Sequence, residues 1–303
     1  MSNRVEVRIP VGGIELDAWL FIPHSHGKKH PAITMAHGFA GTKDHGLERF
    51  AKAFCNAGFI VLVHDHRGFG ASGGELRQDV NPGQQIADWR RVISYLEALP
   101  EVDPQRIGIW GTSYSGGHAI ILAATDRRLR CTVSQAPLID GFEQLRRYMS
   151  PSESLALDSY LLEDERAQFS GNPPLTTTIA SADPNVSAII RVQESIDFYL
   201  QPIPENLWEN KVTLQSMRHF GMYNSGTWVS RVSPTPLLFI VPQQDILTAT
   251  DMALAAYEQA LEPKELILLP GNHTSAFWDL FILASDSATQ WFRKHLMGVS
   301  NTA

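Results

Sequence analysis

Short runs of β-branched and aromatic residues alternate with stretches at helical spacing along most of the chain. That rhythm predicts a mostly parallel sheet covered by helices on both faces. "RVEVRI" (4–9) and "IELDAWLFIP" (14–23) alternate at period two around Val11-Gly12-Gly13 and predict an antiparallel pair. "AITMAH" (32–37), "FIVLVHD" (59–65), "RIGIW" (106–110), "CTVSQAPL" (131–138), "TPLLFIV" (235–241) and "ELILLP" (265–270) bring the expected strands to eight. Between them, "HGLERFAKAFCNAG" (45–58) stops at a glycine, and "NPGQQIADWRRVISYLEAL" (81–99) has Pro82 near its start. Both have the punctuation of helices. "YSGGHAIILAATD" (114–126), "TATDMALAAYEQAL" (248–261) and "TSAFWDLFILASDSATQWFRKHL" (274–296) read the same way.

Residues 140–230 break the rhythm. "GNPPL", "SADPN" and "FYLQPIPENLW" interrupt helical patches with prolines, and no strand is clear. The expectation is a helical cap over 140–230, inserted into a core made of 1–139 and 231–303.

Composition narrows the function. Hydrophobic residues make up 44% and charged residues 19%, as in a globular enzyme with a sizeable core. The net charge of −7, with no basic cluster, argues against nucleic acid or an anionic membrane as partner. Two cysteines, Cys55 and Cys131, do not make a disulfide framework. "MSNRVEVRIPVGGIELDAWL" has no signal-peptide core and no window approaches a membrane span, so the cytoplasm is the expected location. A homodimer is left open.

The chemistry centres on "RIGIWGTSYSGGH" (106–118), which holds two serines, neither in a perfect Gly-x-Ser-x-Gly. A serine hydroxyl is a weak nucleophile until a base takes its proton, and parallel-sheet enzymes expose one at a strained strand-to-helix turn. The apolar run stops at Trp110, so Gly111 opens the turn and Ser113 stands at its apex. Ser115 falls in the first helical turn, where local backbone bonding is expected of it. The base and its orienting carboxylate are sought past later strands. Asp245 follows "LLFIV" and His273 follows "ELILLP", 132 residues after Ser113 and 28 after Asp245. Asp251 falls inside the following helix and is read as solvated. "MAHGFAGTKD" follows the third strand, and the amides of Phe39 and Tyr114 are the expected donors to an oxyanion. His24, His26 and His30 lack a Cys or carboxylate partner at ligand spacing and read as a solvated turn. His64, His66 and His118 read as structural. No metal or organic cofactor is implied.

These motifs resemble the α/β-hydrolase superfamily over about residues 4–297, through "HGFAG", "HDHRGFGASGG", "GTSYSGG", Asp245 and His273. In detail the chain is similar to the dienelactone-hydrolase and Xaa-Pro-dipeptidyl-peptidase-like branch, which includes fungal polyketide-transferase-like proteins. Relatives there often place a tyrosine hydroxyl in the oxyanion hole; Phe39 occupies the matching region here, and the extra β-domain of such peptidases is not seen. The expectation is a serine hydrolase cleaving a carboxylic ester through an acyl-enzyme, with water activated by His273. The aromatic and aliphatic cap favours an apolar small-molecule acyl substrate. An acyltransferase or thioesterase on a carrier-bound chain, an amidase or peptidase, and a non-catalytic binding protein stay open.

Overall fold

The computed structural model describes residues 3–24 and 29–298. Its elements are β1 (Asn3–Val11), β2 (Ile14–Ile22), β3 (His30–Ala36), α1 (Leu47–Asn56), β4 (Ile60–His64), α2 (Pro82–Ala98), β5 (Val102–Thr112), α3 (Tyr114–Thr125) and β6 (Leu129–Gln135). There follow α4 (Gly141–Tyr148), α5 (Pro151–Phe169), β7 (Thr176–Ala180), β8 (Ala188–Ile190), α6 (Gln193–Tyr199), β9 (Lys211–Thr213) and α7 (Gln215–Met222). The chain closes with β10 (Leu237–Pro242), α8 (Thr250–Gln259), β11 (Lys264–Leu269) and α9 (Phe281–Phe292).

Eight strands form one sheet in the order β1-β2-β4-β3-β5-β6-β10-β11. β1 pairs antiparallel with β2 and β2 with β4, while the remaining neighbours are parallel. This is the α/β-hydrolase fold. Alternate side chains of each central strand go to opposite faces. Ile33, Met35, Val61 and Val63 join Phe50, Phe54, Trp291 and Phe292 beneath α1 and α9. Ala32, Ala36, Ile60 and Leu62 join Trp89, Ile93 and Leu122 beneath α2 and α3. Burying each large apolar side chain is worth about 1.5–3 kcal/mol, so the strands are held by two cores at once.

The strand order reverses at β3, which has β4 on one side and β5 on the other. Such a switch point opens a crevice at the carboxyl ends of the strands. The loops after β3 and β5 both end there. The expected eight strands are all present, and residues between β6 and β10 contain the expected helices as α4–α7. They also contain β7, β8 and β9, which form a separate three-stranded sheet. These strands are three to five residues long, too short to show a period in the sequence.

Candidate active site

β5 runs further than its apolar core. Gly111 and Thr112 still pair with Ser134 and Gln135 on β6, so the whole turn falls on Ser113. Ser113 has φ 56° and ψ −121°, a strained backbone for a residue with a side chain. Its amide donates to Gln135 O at 2.9 Å, and its carbonyl accepts from Leu138 N at 3.0 Å. Close approach on both sides depends on glycine. A Cβ on Gly111 would lie 1.9 Å from Ser115 O, and one on Gly38 would lie 3.0 Å from Ser113 Cβ. Tyr114 is the first residue of α3, so its N–H has no acceptor inside the helix.

The loops after β10 and β11 bring the other two residues to this turn. His273 Nε2 lies 3.1 Å from Ser113 Oγ. His273 Nδ1 lies 2.7 Å from Asp245 Oδ2. Asp245 is buried and accepts from the amides of Leu247 and Thr248 at 2.9 and 3.0 Å, with the Thr248 hydroxyl 2.8 Å from Oδ2. A carboxylate so held keeps the ring proton on Nδ1 and leaves Nε2 as acceptor toward the serine. Asp251 is exposed on α8, as expected, and forms a two-point ion pair with Arg147 of α4 at 2.6 and 2.8 Å.

Ser115 departs from its expected local role. Its hydroxyl donates to His37 O at 2.5 Å and accepts from His66 Nε2 at 3.0 Å, tying α3 to the ends of β3 and β4. The His66 amide donates to His37 Nε2 at 3.1 Å, which places the His37 ring proton on Nδ1. Nδ1 then donates to Gly38 O at 2.9 Å. Carbonyl and N–H point in opposite directions across a trans peptide, so this bond sets the direction of the Phe39 N–H.

A family model described as X-Pro dipeptidyl-peptidase (S15 family) matches residues 12–275. The chain belongs to this family. It is 32% identical over 252 residues to the quorum-quenching protein AidA of Acinetobacter baumannii, covering 82% of this chain and 81% of that one. It is 30% identical over 263 residues to the polyketide transferase grgF of a Penicillium species, covering 86% and 85%. The crystal structure of the α/β hydrolase GrgF from Penicillium sp. sh18 superposes with a TM-score of 0.84 over 97% of this chain and 99% of that one, at 26% identity.

Around the S15-family elbow lie two narrow chambers, both bordered by Ser113, Phe39, Tyr199 and His273. One, of about 60 Å³, is walled by Leu138, Leu145, Ile189, Ile190, Met217 and Phe220, mostly from the segment between β6 and β10. The other, of about 20 Å³, is walled by His45, Leu47, Phe198 and Phe277. The Phe39 ring sits edge-on to Tyr114 and Phe220, each with ring centroids 5.6 Å away, and offers no side-chain donor.

Beneath the loop after β3 is a buried ionic network. Lys43 Nζ lies 2.5 Å from Asp17 Oδ2 and 2.7 Å from Asp65 Oδ2, and the Lys43 amide donates to Asp65 Oδ1 at 2.6 Å. Burial alone would lower the Lys43 pKa, yet the Asp65 and Asp17 carboxylates outweigh it and hold the ammonium above its usual range. Removing one partner of a buried pair leaves the other charge uncompensated. Lys43→Met is therefore expected to destabilise the fold by about 3–5 kcal/mol in urea titration. A loss under about 1 kcal/mol would place this pair with surface ion pairs.

The other histidines fall into place. His118 lies between Tyr223 Oη at 2.9 Å and Gln85 Oε1 at 3.0 Å, fully buried. His64 packs against Trp89 and His66. His24 is exposed, as expected of a solvated turn, but His30 is not in that turn: it is half-buried at the start of β3, with Nδ1 3.2 Å from Gly58 O, and His26 lies outside the described residues. Cys55 and Cys131 are buried and free. Among the described residues, no helix is long and apolar enough to cross a membrane.

Proposed function

We propose that this S15-family chain is a serine hydrolase acting on an apolar carboxylic ester. Ser113 attacks the acyl carbonyl while His273 takes its proton, and Asp245 fixes the tautomer and stabilises the imidazolium. The amides of Phe39 and Tyr114 hold the oxyanion. His273 returns the proton to the leaving group, then activates the water that releases the acid. Residues 140–230 act as a cap, supplying the apolar wall for the acyl part. The observation that carries this reading is the Ser113–His273–Asp245 relay at 3.1 and 2.7 Å, with the serine at φ 56°.

A second reading, an acyltransferase or thioesterase on a carrier-bound acyl chain, is suggested by the names of the relatives. Besides the polyketide transferase, the chain is 28% identical over 267 residues to a thiohydrolase of Eupenicillium brefeldianum. It would use the same acyl-enzyme, released by water in a thioesterase or by an alcohol in an acyltransferase.

A fluorophosphonate probe is expected to form one adduct, mapped by mass spectrometry to Ser113. p-Nitrophenyl esters and matching acyl thioesters of rising chain length then rank the two readings. An adduct on Ser115, or no adduct on folded protein, would sink the proposed mechanism.

A further inference from the structure

The loop that carries Phe39 is strained and does not hold itself. Ala40 follows with φ 51°, a left-handed conformation that a residue with a Cβ adopts only when its surroundings impose it. The turn's own Gly41 N to Gly38 O bond is long, at 3.5 Å. Three side chains hold the carbonyls of the consecutive residues 38, 39 and 40 instead. His37 holds Gly38 O from within the core at 2.9 Å. Tyr199 Oη donates to Phe39 O at 2.6 Å, and Trp208 Nε1 donates to Ala40 O at 2.8 Å.

A backbone dihedral is the angle between neighbouring peptide planes, and each plane is oriented once its carbonyl is anchored. Anchors on Gly38 O and Phe39 O set φ and ψ at Phe39. Anchors on Phe39 O and Ala40 O set them at Ala40. The first anchor belongs to the sheet, but the other two belong to the segment between β6 and β10. The Tyr199 and Trp208 rings stack with centroids 6.3 Å apart, and His45 backs both at 5.9 and 5.2 Å. His45 is itself locked to the loop, accepting the Thr42 N–H on Nδ1 at 3.0 Å.

We infer that Tyr199 and Trp208 are positioning residues: His37 sets which way the Phe39 N–H points, and by gripping the carbonyls of Phe39 and Ala40 the cap holds the strained turn that fixes where this N–H sits relative to the reacting oxygen. This rests on the hydrolase reading proposed above. It makes the cap a part of the oxyanion machinery as well as a wall of the pocket, so that a displaced cap leaves a hydrolase with Ser113 and His273 in place but one donor out of position. A donor that helps only the transition state changes kcat and leaves KM nearly untouched.

Tyr199→Phe removes only the donating hydroxyl, and Trp208→Phe removes the donating N–H with its five-membered ring while keeping an aromatic ring. Each is expected to lower kcat for a short p-nitrophenyl ester by about 10- to 100-fold, a part of the effect of deleting an oxyanion donor, with KM within about twofold of wild type. Hydrogen exchange should quicken at the amides of residues 39–42 and stay unchanged in α5 and α7. Leu155→Ala, on the exposed face of α5, serves as the control with unchanged kcat. Wild-type kcat in both variants, or a lower kcat accompanied by faster exchange across the whole cap and a lower Tm, would overturn the inference. Exchange needs no turnover, so it tests the grip even if the wild type fails to label at Ser113, the result that would bring down the hydrolase reading instead.

Discussion

Ser113→Ala is expected to lower kcat on a p-nitrophenyl ester by on the order of 10⁶-fold, and Asp245→Asn by on the order of 10⁴-fold. The two losses differ because the proposed mechanism gives the residues different tasks. Without Ser113 no acyl-enzyme forms, and only the oxyanion donors and substrate binding remain. With Asn at 245 the backbone contacts can persist, but the amide places a donor or a neutral oxygen against His273 Nδ1. The ring then loses the tautomer that presents Nε2 as acceptor to Ser113 at 3.1 Å. Ser115→Ala should keep the fluorophosphonate adduct at Ser113, since Ser115 bonds away from the reacting face, to His37 O and His66. Burst kinetics on the three variants separate these roles. A Ser113→Ala protein within about tenfold of wild type would remove this serine from the chemistry, because loss of a nucleophile costs far more than that.

Acidification should unfold this protein early, between about pH 6 and 4. Five histidines, at 37, 45, 64, 66 and 118, are buried. Burial pushes His64 and His118 down to about 3 and His45 to about 4, and it also lowers His37 and His66. In the unfolded chain each ring returns to its ordinary value of 6.5. The unfolded state therefore binds more protons than the native state below that pH. The stabilisation from these rings is complete above about pH 6.5 and is lost as the pH falls toward their native values, with a slope of about 1.4 kcal/mol per pH unit per ring. Asp44, whose carboxyl is raised by burial, opposes the trend with a single group. Thermal melts from pH 7.5 to 4 should show a steep fall in Tm. His64→Phe should flatten the fall by one ring's share, since Phe keeps the packing against Trp89 and has no charge to acquire. A Tm that stays level between pH 7 and 5 would show that these rings take up protons without unfolding.

Much of this architecture was legible in the residues alone. The eight expected runs became eight strands, and the breaks at Trp110, Val241 and Pro270 lie within two residues of strand ends. Strand and helix periods are local, repeating every two or 3.6 residues, so a linear reading captures them. Order along the chain then placed Ser113, Asp245 and His273 at strand ends facing one crevice. Ser115 was legible as a small residue in the first helical turn, but not as the bond joining α3 to β3. The three-residue strands β8 and β9 were hidden because they are shorter than any usable window.

What the tertiary structure decided is which distant groups complete the site. Lys43 meets Asp65 across 22 residues, and Trp208 meets Ala40 across 168. Neither separation follows a period or a motif, because contacts of this kind depend on which loops the sheet order brings together. The sequence by itself determined the fold class and singled out Ser113, Asp245 and His273 as the candidate triad. Only the folded chain could choose the side chains that orient the Phe39 amide, since a hydrogen bond depends on ångström distances and angles that spacing along the chain does not encode.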